Sequence, residues 1–318
     1  MRLWQQGMIF LARNREIKQF IQERAALSEL AMRFVGGRDV SEVVGKSRAL
    51  KSQGVGASVF YLGEYVEDLA VVRQTVSELK IVSHRLAEAH LDIHISVDPT
   101  QIGYQLSAEV CRQNAFELAH EISEAARHGN PDARNLLMLD MEDSAVTDGT
   151  ILLYMDLLAA SLPVALTLQA YLRRSEDDLR EIVSAGGTAR LVKGAFAEGN
   201  KVALTSRSAI DSNYLELAAI MLSDQAHRSG FYPIFATHDD HIIDEIVAMA
   251  KRQDWARGSY EFEMLYGVRP ELQERLVESG QKLRLYLPFG TDWWPYAARR
   301  VGESPRNALF LFRSLFSF

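Results

Sequence analysis

Eight short apolar runs, separated by segments of helical character, constrain what this chain can fold into. Alternation of β-rich runs with helical segments predicts parallel strands joined by crossover helices. Eight such units favour an α/β fold of the (β/α)8 or TIM-barrel type, with an open sheet as the alternative. The runs, in chain order, are ASVFYL, LDIHISV, NLLMLD, PVALTLQ, ARLVKG, YPIFAT, SYEFEML and LRLYLP.

The chain before the first run has a different pattern. Residues 1–55 show apolar side chains at helical spacing, interrupted at Gly36 and Gly37. We expect an N-terminal helical appendage over 1–55 and a catalytic barrel over 56–318, which together form one domain of 318 residues. The chain shows no apolar run of membrane-spanning length and no signal-peptide core, so we expect a cytoplasmic protein.

Composition and charge exclude several other classes. Hydrophobic residues make up 47% of the chain and charged residues 24%, a balance that argues against disorder. The net charge of −7 disfavours non-specific binding to nucleic acid. Cys111 is the single cysteine, so an intrachain disulfide and a cysteine-rich metal site are excluded, and we expect Cys111 to be buried. His238 and His241 lack a matching third ligand nearby, so no metal site is predicted.

Polar side chains follow seven of the eight runs, at or just beyond the last residue. In a barrel these strand ends converge on the mouth, where the active site is built. A nucleotide site of the Rossmann or P-loop type is improbable there, because no matching glycine pattern follows any run. The polar residues are Glu64, Asp98, Asp140 with Glu142, Gln169, Lys193, Thr237 with His238, and Thr291 with Asp292.

Each of these residues has a structural alternative. A carboxylate after a strand is often a helix N-cap, which applies to Asp140, Glu142 and Asp143. Lys193 ends a buried strand and could meet an anion or form a Schiff base, so a class I aldolase is a candidate. His238, in IFATHDD, could equally be a structural histidine with satisfied hydrogen bonds.

The stretch 281–304 combines a strand, a turn and a helix that carries two adjacent arginines. Tyr296, Arg299 and Arg300 lie at helical spacings that place them roughly on one face. Two guanidinium groups beside a phenol make a receptor for a small carboxylate. The alternative is a solvated arginine pair with Tyr296 as ordinary packing.

Several motifs resemble the proline dehydrogenase family, including the corresponding domain of bacterial bifunctional proline-utilisation enzymes. They occur in the family's order, and the resemblance extends from about Gly56 to Phe316. It implies an FAD-dependent flavoprotein oxidoreductase that converts L-proline to 1-pyrroline-5-carboxylate and passes electrons to a quinone, the first step of proline catabolism. The motifs are YLGEYV, LDMEDS, LTLQAYLRRSEDDL, RLVKGAF, IFATHDD, YEFEMLYGVRPELQERL, LRLYLPFG, DWWPYAARR and NALFLFRSLF.

The resemblance also implies roles for individual residues. Arg299 and Arg300 would hold the proline carboxylate, and Glu64 would pair with Arg299 and close the site against water. Positive charge near the flavin ring would tune the cofactor, which performs the oxidation. The remaining substrate-pocket residues would be Tyr286, Tyr296, Leu265, Ala195 and Asp140. The FAD-binding residues would be Gln169, Arg190, Lys193, Gly194, Thr237, His238 and Glu303, with Arg190 and Lys193 near the flavin ring.

One residue departs from the family pattern on the substrate side. Asp98 stands where the family has a lysine that pairs with the aspartate matching Asp140. Two carboxylates are therefore expected to face the same space, which should repel a substrate carboxylate unless another cation compensates. This departure leaves two alternatives, a dehydrogenase of a modified or different cyclic imino acid and a non-catalytic flavin-binding barrel.

The last residues of the chain, LFLFRSLFSF, are strongly apolar. Because quinones reside in the bilayer, this segment suggests peripheral contact with the inner face of the membrane. The alternative is a last helix that packs on the barrel.

Overall fold

The computed structural model describes residues 32–63, 66–130 and 133–297. Within them the chain forms a closed barrel of eight parallel strands, each paired with its neighbours in chain order. Every strand coincides with one of the eight apolar runs, so the (β/α)8 prediction is confirmed and the open sheet is excluded. The strands are β1 (Val55–Tyr61), β2 (His94–Val97), β3 (Leu136–Leu139), β4 (Val164–Gln169), β5 (Thr188–Val192), β6 (Tyr232–Ala236), β7 (Glu261–Leu265) and β8 (Leu283–Phe289).

Helices connect consecutive strands and form the outer layer. Several begin at a capping side chain: Asp68 accepts the backbone N–H of Ala70, and Ser107 accepts that of Val110. No helix in the described ranges combines the length and apolarity that a membrane span needs. The helices are α1 (Val40–Ser52), α2 (Leu69–Glu88), α3 (Ala108–Ala126), α4 (Ser144–Ala159), α5 (Ser175–Ser184), α6 (Arg207–Met221), α7 (Asp224–Ser229), α8 (Asp240–Arg252) and α9 (Pro270–Glu278).

The described part of the predicted N-terminal appendage packs directly on the barrel. Helix α1 buries Val43 and Leu50 in the same core as the strands. Just before it, the N–H of Gly36 donates to the carbonyl of Pro288 in β8 at 2.6 Å. A Cβ atom at Gly36 would overlap the side chain of Leu287, so this close approach requires glycine. Residues 1–31 of the predicted appendage lie outside the described residues.

The alternation of each strand sorts side chains between the helix layer and the barrel interior. In β3, Leu137 and Leu139 join the large core between strands and helices, whereas Met138 belongs to a separate apolar cluster with Ala165 and Ile234. Cys111 is buried in the large core, as predicted, and burial raises the pKa of its thiol to about 12. One sector of the barrel interior is therefore apolar, and the remaining strands supply polar side chains.

An ionic cluster closes the barrel at the amino ends of its strands. Arg284 is 1% exposed and donates to Glu261 at 2.8 Å and to Asp92 at 2.7 Å. A third hydrogen bond, 2.9 Å long, reaches the carbonyl of Ala57. Burial alone would raise the pKa of Glu261, but the Arg284 guanidinium outweighs burial and lowers it. We call Arg284, Glu261 and Asp92 the floor cluster, because it lies at the end of the barrel opposite the mouth.

The floor cluster predicts a large effect on stability. Arg284→Met should lower the free energy of unfolding by about 3–5 kcal/mol, because it leaves Glu261 buried without its main counter-charge. Urea unfolding followed by circular dichroism measures this difference. Arg85→Met is the matched control, since Arg85 pairs with Glu88 on the exposed surface of α2 and should change stability by about 1 kcal/mol or less. Equal losses in both variants would contradict a structural role for the floor cluster.

Candidate active site

Arg190, in the middle of β5, is the centre of a polar cluster inside the barrel. Its neighbours Ala189 and Leu191 pack in the core beneath the helices, so the Arg190 side chain points toward the barrel axis. The guanidinium is 4% exposed and forms ion pairs with Asp140 and, at 2.5 Å, with Glu263. It also donates to Thr167 at 3.1 Å. These contacts fix the guanidinium in one orientation. We call Asp140, Arg190 and Glu263 the mouth cluster.

Asp140 links the mouth cluster to Tyr286. One carboxylate oxygen accepts from Thr167 at 3.0 Å, and the other accepts from the Tyr286 hydroxyl at 3.0 Å. The Tyr286 ring stacks on Phe60 with 5.5 Å between ring centroids, and the Arg190 guanidinium lies 5.4 Å from its centre. Asp140, Arg190 and Tyr286 come from three separate strands or strand ends, and the structure brings them into contact as expected of residues that share one site.

The electrostatics of Tyr286 show which other groups lie near it. Burial, followed by the negative charge of Asp98, raises the pKa of the Tyr286 phenol well above its ordinary value, and Tyr296 adds to this effect. The phenol therefore stays protonated and donates to Asp140. Asp98 and Tyr296 therefore lie close enough to Tyr286 to influence its phenol, and Tyr286 itself contacts Asp140.

Glu263 was not predicted as a site residue. It is 2% exposed, and its Oε2 atom has no hydrogen-bond partner among the described residues. Burial raises the pKa of Glu263, although the charge of Arg190 opposes this shift. The sequence contains a signal that could have revealed it: EFEML places Glu261 and Glu263 at alternate positions of a buried strand, so both face the barrel interior.

The polar interior continues from Arg190 toward β1 and β2. Arg190 lies 3.3 Å from the Ser96 hydroxyl, which lies 3.1 Å from that of Ser58. The Ser58 hydroxyl in turn lies 2.9 Å from Nδ1 of His94. Burial, with the positive charges of Arg284 and Arg190, lowers the pKa of His94 well below its ordinary value, so the ring is neutral. His94 therefore adds no positive charge to the barrel interior.

Glu142 and Gln169 form hydrogen bonds between neighbouring loops at the mouth. Glu142 accepts the N–H of Thr100 at 2.9 Å and its hydroxyl at 2.7 Å. The Gln169 side-chain amide donates to the carbonyl of Glu142 at 2.8 Å. Asp143 caps α4 through the N–H of Ala145 at 3.0 Å. The capping alternative is thus confirmed for Asp143, and it is wrong for Asp140 and Glu142.

Lys193 lies outside the mouth cluster. Its ammonium pairs with Asp211 of α6 at 2.5 Å and with Asp239, just before α8, at 2.9 Å. The structure therefore does not bring Lys193 into contact with Arg190, and it directs the lysine toward the helix layer. A Schiff-base lysine must reach a carbonyl carbon, and the contacts with two carboxylates hold Lys193 elsewhere, so this arrangement disfavours the Schiff-base alternative.

The residues after Lys193 pass along the mouth between β4 and β5. Gly194 has a φ of 107°, and a side chain there would overlap the ring of Tyr171. Ala195 is exposed in the loop that follows. Glu198 attaches this loop to the start of α4, because its carboxylate accepts the N–H of Ser144 at 2.8 Å and the Ser144 hydroxyl at 2.9 Å.

His238 and Thr237 connect β6 to the adjacent loops. Nε2 of His238 accepts the backbone N–H of Leu265 at 2.9 Å, which places the histidine against the end of β7. The Thr237 hydroxyl is buried and accepts the N–H of Asp239 at 3.2 Å. His238 thus has the satisfied hydrogen bond expected of a structural histidine. The predicted site residues Glu64, Arg299, Arg300 and Glu303, and the segment LFLFRSLFSF, lie outside the described residues.

Comparisons with known sequences give one consistent result. The family model described as proline dehydrogenase matches residues 43–313. Proline dehydrogenase 2 of Bacillus subtilis is 33% identical over 285 residues, which cover 90% of this chain and 90% of that protein. Proline dehydrogenase of Deinococcus radiodurans is 28% identical over 318 residues, covering 98% of each.

Comparisons with solved structures agree on the fold. Proline utilization A from Bdellovibrio bacteriovorus, inactivated by N-propargylglycine, superposes with a TM-score of 0.81 at 18% identity. The match covers 99% of this chain and 38% of that longer one. A mutant of proline utilization A from Bradyrhizobium japonicum gives a TM-score of 0.71 at 20% identity, covering 90% of this chain and 32% of the other.

The two buried glutamates of β7 should affect stability with opposite dependence on pH. The pKa of Glu261 is lowered from 4.5, so its ionised form stabilises the fold above that value and the contribution is lost as pH falls through the folded pKa. The pKa of Glu263 is raised from 4.5, so its protonated form is favoured below that value and this advantage is lost as pH rises through the folded pKa.

Replacing each glutamate with glutamine, which has nearly the same shape but no charge, tests this difference in pH dependence. Glu261→Gln should lower the free energy of unfolding by about 3 kcal/mol at neutral pH, with a smaller loss in acid. Glu263→Gln should become more stable relative to the wild type as pH rises. Chemical unfolding at a series of pH values measures both curves. Parallel pH dependence of the two variants would show that their environments do not differ as described.

Proposed function

The chain belongs to the proline dehydrogenase family, and from this premise we propose that it oxidises L-proline to 1-pyrroline-5-carboxylate, with FAD at the barrel mouth and a quinone as electron acceptor. Members of this family are oxidoreductases that act on proline, and the family is flavin-dependent. The observation that carries the proposal is the contact of Asp140, Arg190 and Tyr286 at the mouth. These groups form a rigid polar wall beside an aromatic surface, which suits a small ring that bears a charge.

The residues around the end of β5 fit a flavin. The flavin ring presents carbonyl oxygens and ring nitrogens that accept hydrogen bonds. Gln169 in β4, Arg190 in β5 and Thr237, directly after β6, carry N–H or O–H groups of the kind that such atoms bind, although Gln169 and Arg190 also donate within the protein. Gly194 follows β5 at the same edge of the mouth, with the Tyr171 ring packed against its backbone. When bound, the flavin supplies the oxidation by accepting two electrons from the substrate. We assign Gln169, Arg190, Gly194 and Thr237 to the cofactor, with Lys193 and His238 supporting the loops beside it.

The side chains of the chain itself orient the substrate and control charge. Arg190 provides a fixed positive charge, because Asp140 and Glu263 prevent the guanidinium from turning away. The Tyr286 hydroxyl keeps its proton and donates a hydrogen bond to Asp140, which holds the ring in place as one wall of the pocket. Leu265 and Tyr296, with Ala195 in the adjoining loop, would complete the wall around the pyrrolidine ring.

Further roles rest on the family resemblance. Arg299 and Arg300 would hold the substrate carboxylate by paired hydrogen bonds, and Glu64 would pair with Arg299 when the site closes. Glu303 would contact the FAD. A quinone acceptor would bring the protein to the membrane surface, and the apolar segment LFLFRSLFSF stays the predicted contact.

A second candidate function follows from Asp98. Its charge acts on Tyr286 at the pocket wall, beside the carboxylate of Asp140. Within the described residues Arg190 is the cation in contact with Asp140, and Glu263 shares that cation. This acidic wall favours a cyclic imino acid that carries an additional hydroxyl or cationic group, which Asp98 could bind.

Anaerobic reduction of the bound flavin tests the leading proposal. We expect the purified protein to be yellow and to lose the absorbance of oxidised flavin when L-proline is added, with a product lighter than proline by one pair of hydrogens. D-proline, which presents the same groups with the opposite handedness, is the control and should react far more slowly. A yellow protein that L-proline leaves unchanged would contradict the proposal, and a protein purified without flavin would remove the cofactor assignment.

The variant Asp98→Lys distinguishes L-proline from a substituted cyclic imino acid as the native substrate. Removing like-charge repulsion from a partly dry pocket should improve the reduction rate with L-proline about fivefold or more if proline is the native substrate, since roughly 1 kcal/mol or more of repulsion is relieved. Hydroxyproline, pipecolate and amino-substituted prolines complete the substrate panel. If a substituted proline reduces the wild type fastest and the lysine abolishes that preference, the second candidate is correct.

A further inference from the structure

The two glutamates of β7 differ in how completely their oxygens are bound. Both oxygens of Glu261 are engaged: Arg284 donates at 2.8 Å and 3.3 Å, and the Tyr232 hydroxyl donates at 3.3 Å. Glu263 accepts only from Arg190, through Oε1 at 2.5 Å, and its Oε2 atom has no partner among the described residues. Two carboxyl groups on the same face of one strand therefore have different environments, which indicates different roles.

We propose that Glu263 is a positioning residue of the active site, which holds the Arg190 guanidinium from inside the barrel and sets the net charge of the mouth cluster. The inference rests on the proposed function, because it concerns the response of that site to an anionic substrate. Arg190 contributes one positive charge and Asp140 one negative charge. The mouth cluster is therefore neutral when Glu263 is protonated and carries one negative charge when Glu263 is ionised.

Burial and the charges around Glu263 act on its protonation in opposite directions, and the net effect raises its pKa. Arg190 of β5 favours the ionised form, and Arg284 of β8 acts in the same direction from the floor cluster. Burial and the charge of Glu261 favour the protonated form. Tyr286 of β8 is also affected by Glu263, as one of several charges that keep the phenol protonated. On the other side of β7, residues 234–236 of β6 pair with residues 261–263. The three β6 residues, Ile234, Phe235 and Ala236, are not ionisable.

A carboxylate bound at the mouth would shift this balance. Negative charge beside Arg190 disfavours a second negative charge on its inner side, so the ligand binds more tightly when Glu263 is protonated. Ionisation of Glu263 should accordingly weaken ligand binding as pH rises. The Oε1 atom keeps its hydrogen bond with Arg190 in both states, so the guanidinium stays in position while its net field at the mouth changes.

The experiment measures the dissociation constant of cyclopentanecarboxylate, which has the ring and the carboxylate of proline but no amine to oxidise. Binding to the flavin-loaded protein is followed by the flavin absorbance spectrum at a series of pH values, in the wild type, Glu263→Gln and Glu261→Gln. We expect the wild-type dissociation constant to rise about tenfold through one ionisation. Glu263→Gln should lack this ionisation. Glu261→Gln, the matched control two residues away, should keep it despite its lower stability.

The proposal is overturned if Glu263→Gln keeps the wild-type pH dependence, or if Glu261→Gln loses it. Infrared difference spectra of the wild type, recorded across the same series of pH values, provide a second measurement that needs no variant. The carbonyl band of a buried protonated carboxyl group should disappear from these spectra as pH rises. If no such band is lost, the proposal is also overturned. These results are separate from the proposed function, because cyclopentanecarboxylate can bind whether or not L-proline reduces the flavin.

Discussion

The structure depends on a buried guanidinium that must be neutralised inside the barrel. Removing a charge from water costs several kcal/mol unless ion pairs and hydrogen bonds replace the lost hydration. Arg190 meets this requirement with carboxylates from the end of β3 and from β7, and with hydroxyls from β2 and β4. The same contacts that make the buried charge tolerable hold it in one place. Arg190 thus contacts residues from four other parts of the barrel.

The floor cluster uses the same chemistry for a different purpose. Arg284, like Arg190, is a buried arginine with two carboxylate partners, but both oxygens of Glu261 are bound and no part of the floor cluster faces the mouth. Complete hydrogen bonding favours a permanently ionised pair that stabilises the closed barrel. The mouth cluster leaves one carboxylate oxygen of Glu263 without a partner among the described residues, which permits a change of protonation. The cluster that stabilises the fold and the cluster that can change its protonation therefore lie at opposite ends of the barrel interior.

The sequence predicted the barrel and part of the site for identifiable reasons. The eight runs have the period and length of buried parallel strands, and the ordered motifs correctly predicted the family. Strand-end position also predicted Asp140 as a mouth residue. Alternation shows which face a residue occupies but not its partner across a barrel, so the pairing of Arg190 with Glu263 was not predicted. The family resemblance predicted Lys193 near the flavin ring, and sequence alone could not show its partners, Asp211 of α6 and Asp239 just before α8.

A crystal structure of the protein with bound flavin and cyclopentanecarboxylate tests the central claim most directly. We expect the Arg190 guanidinium to keep its contacts with Asp140 and Glu263 and to lie within hydrogen-bond distance of the flavin ring, with the carboxylate of the ligand beside Tyr286. A flavin bound elsewhere, or an Arg190 that leaves both carboxylates to reach its ligands, would contradict the claim that the mouth cluster is a pre-formed part of the active site.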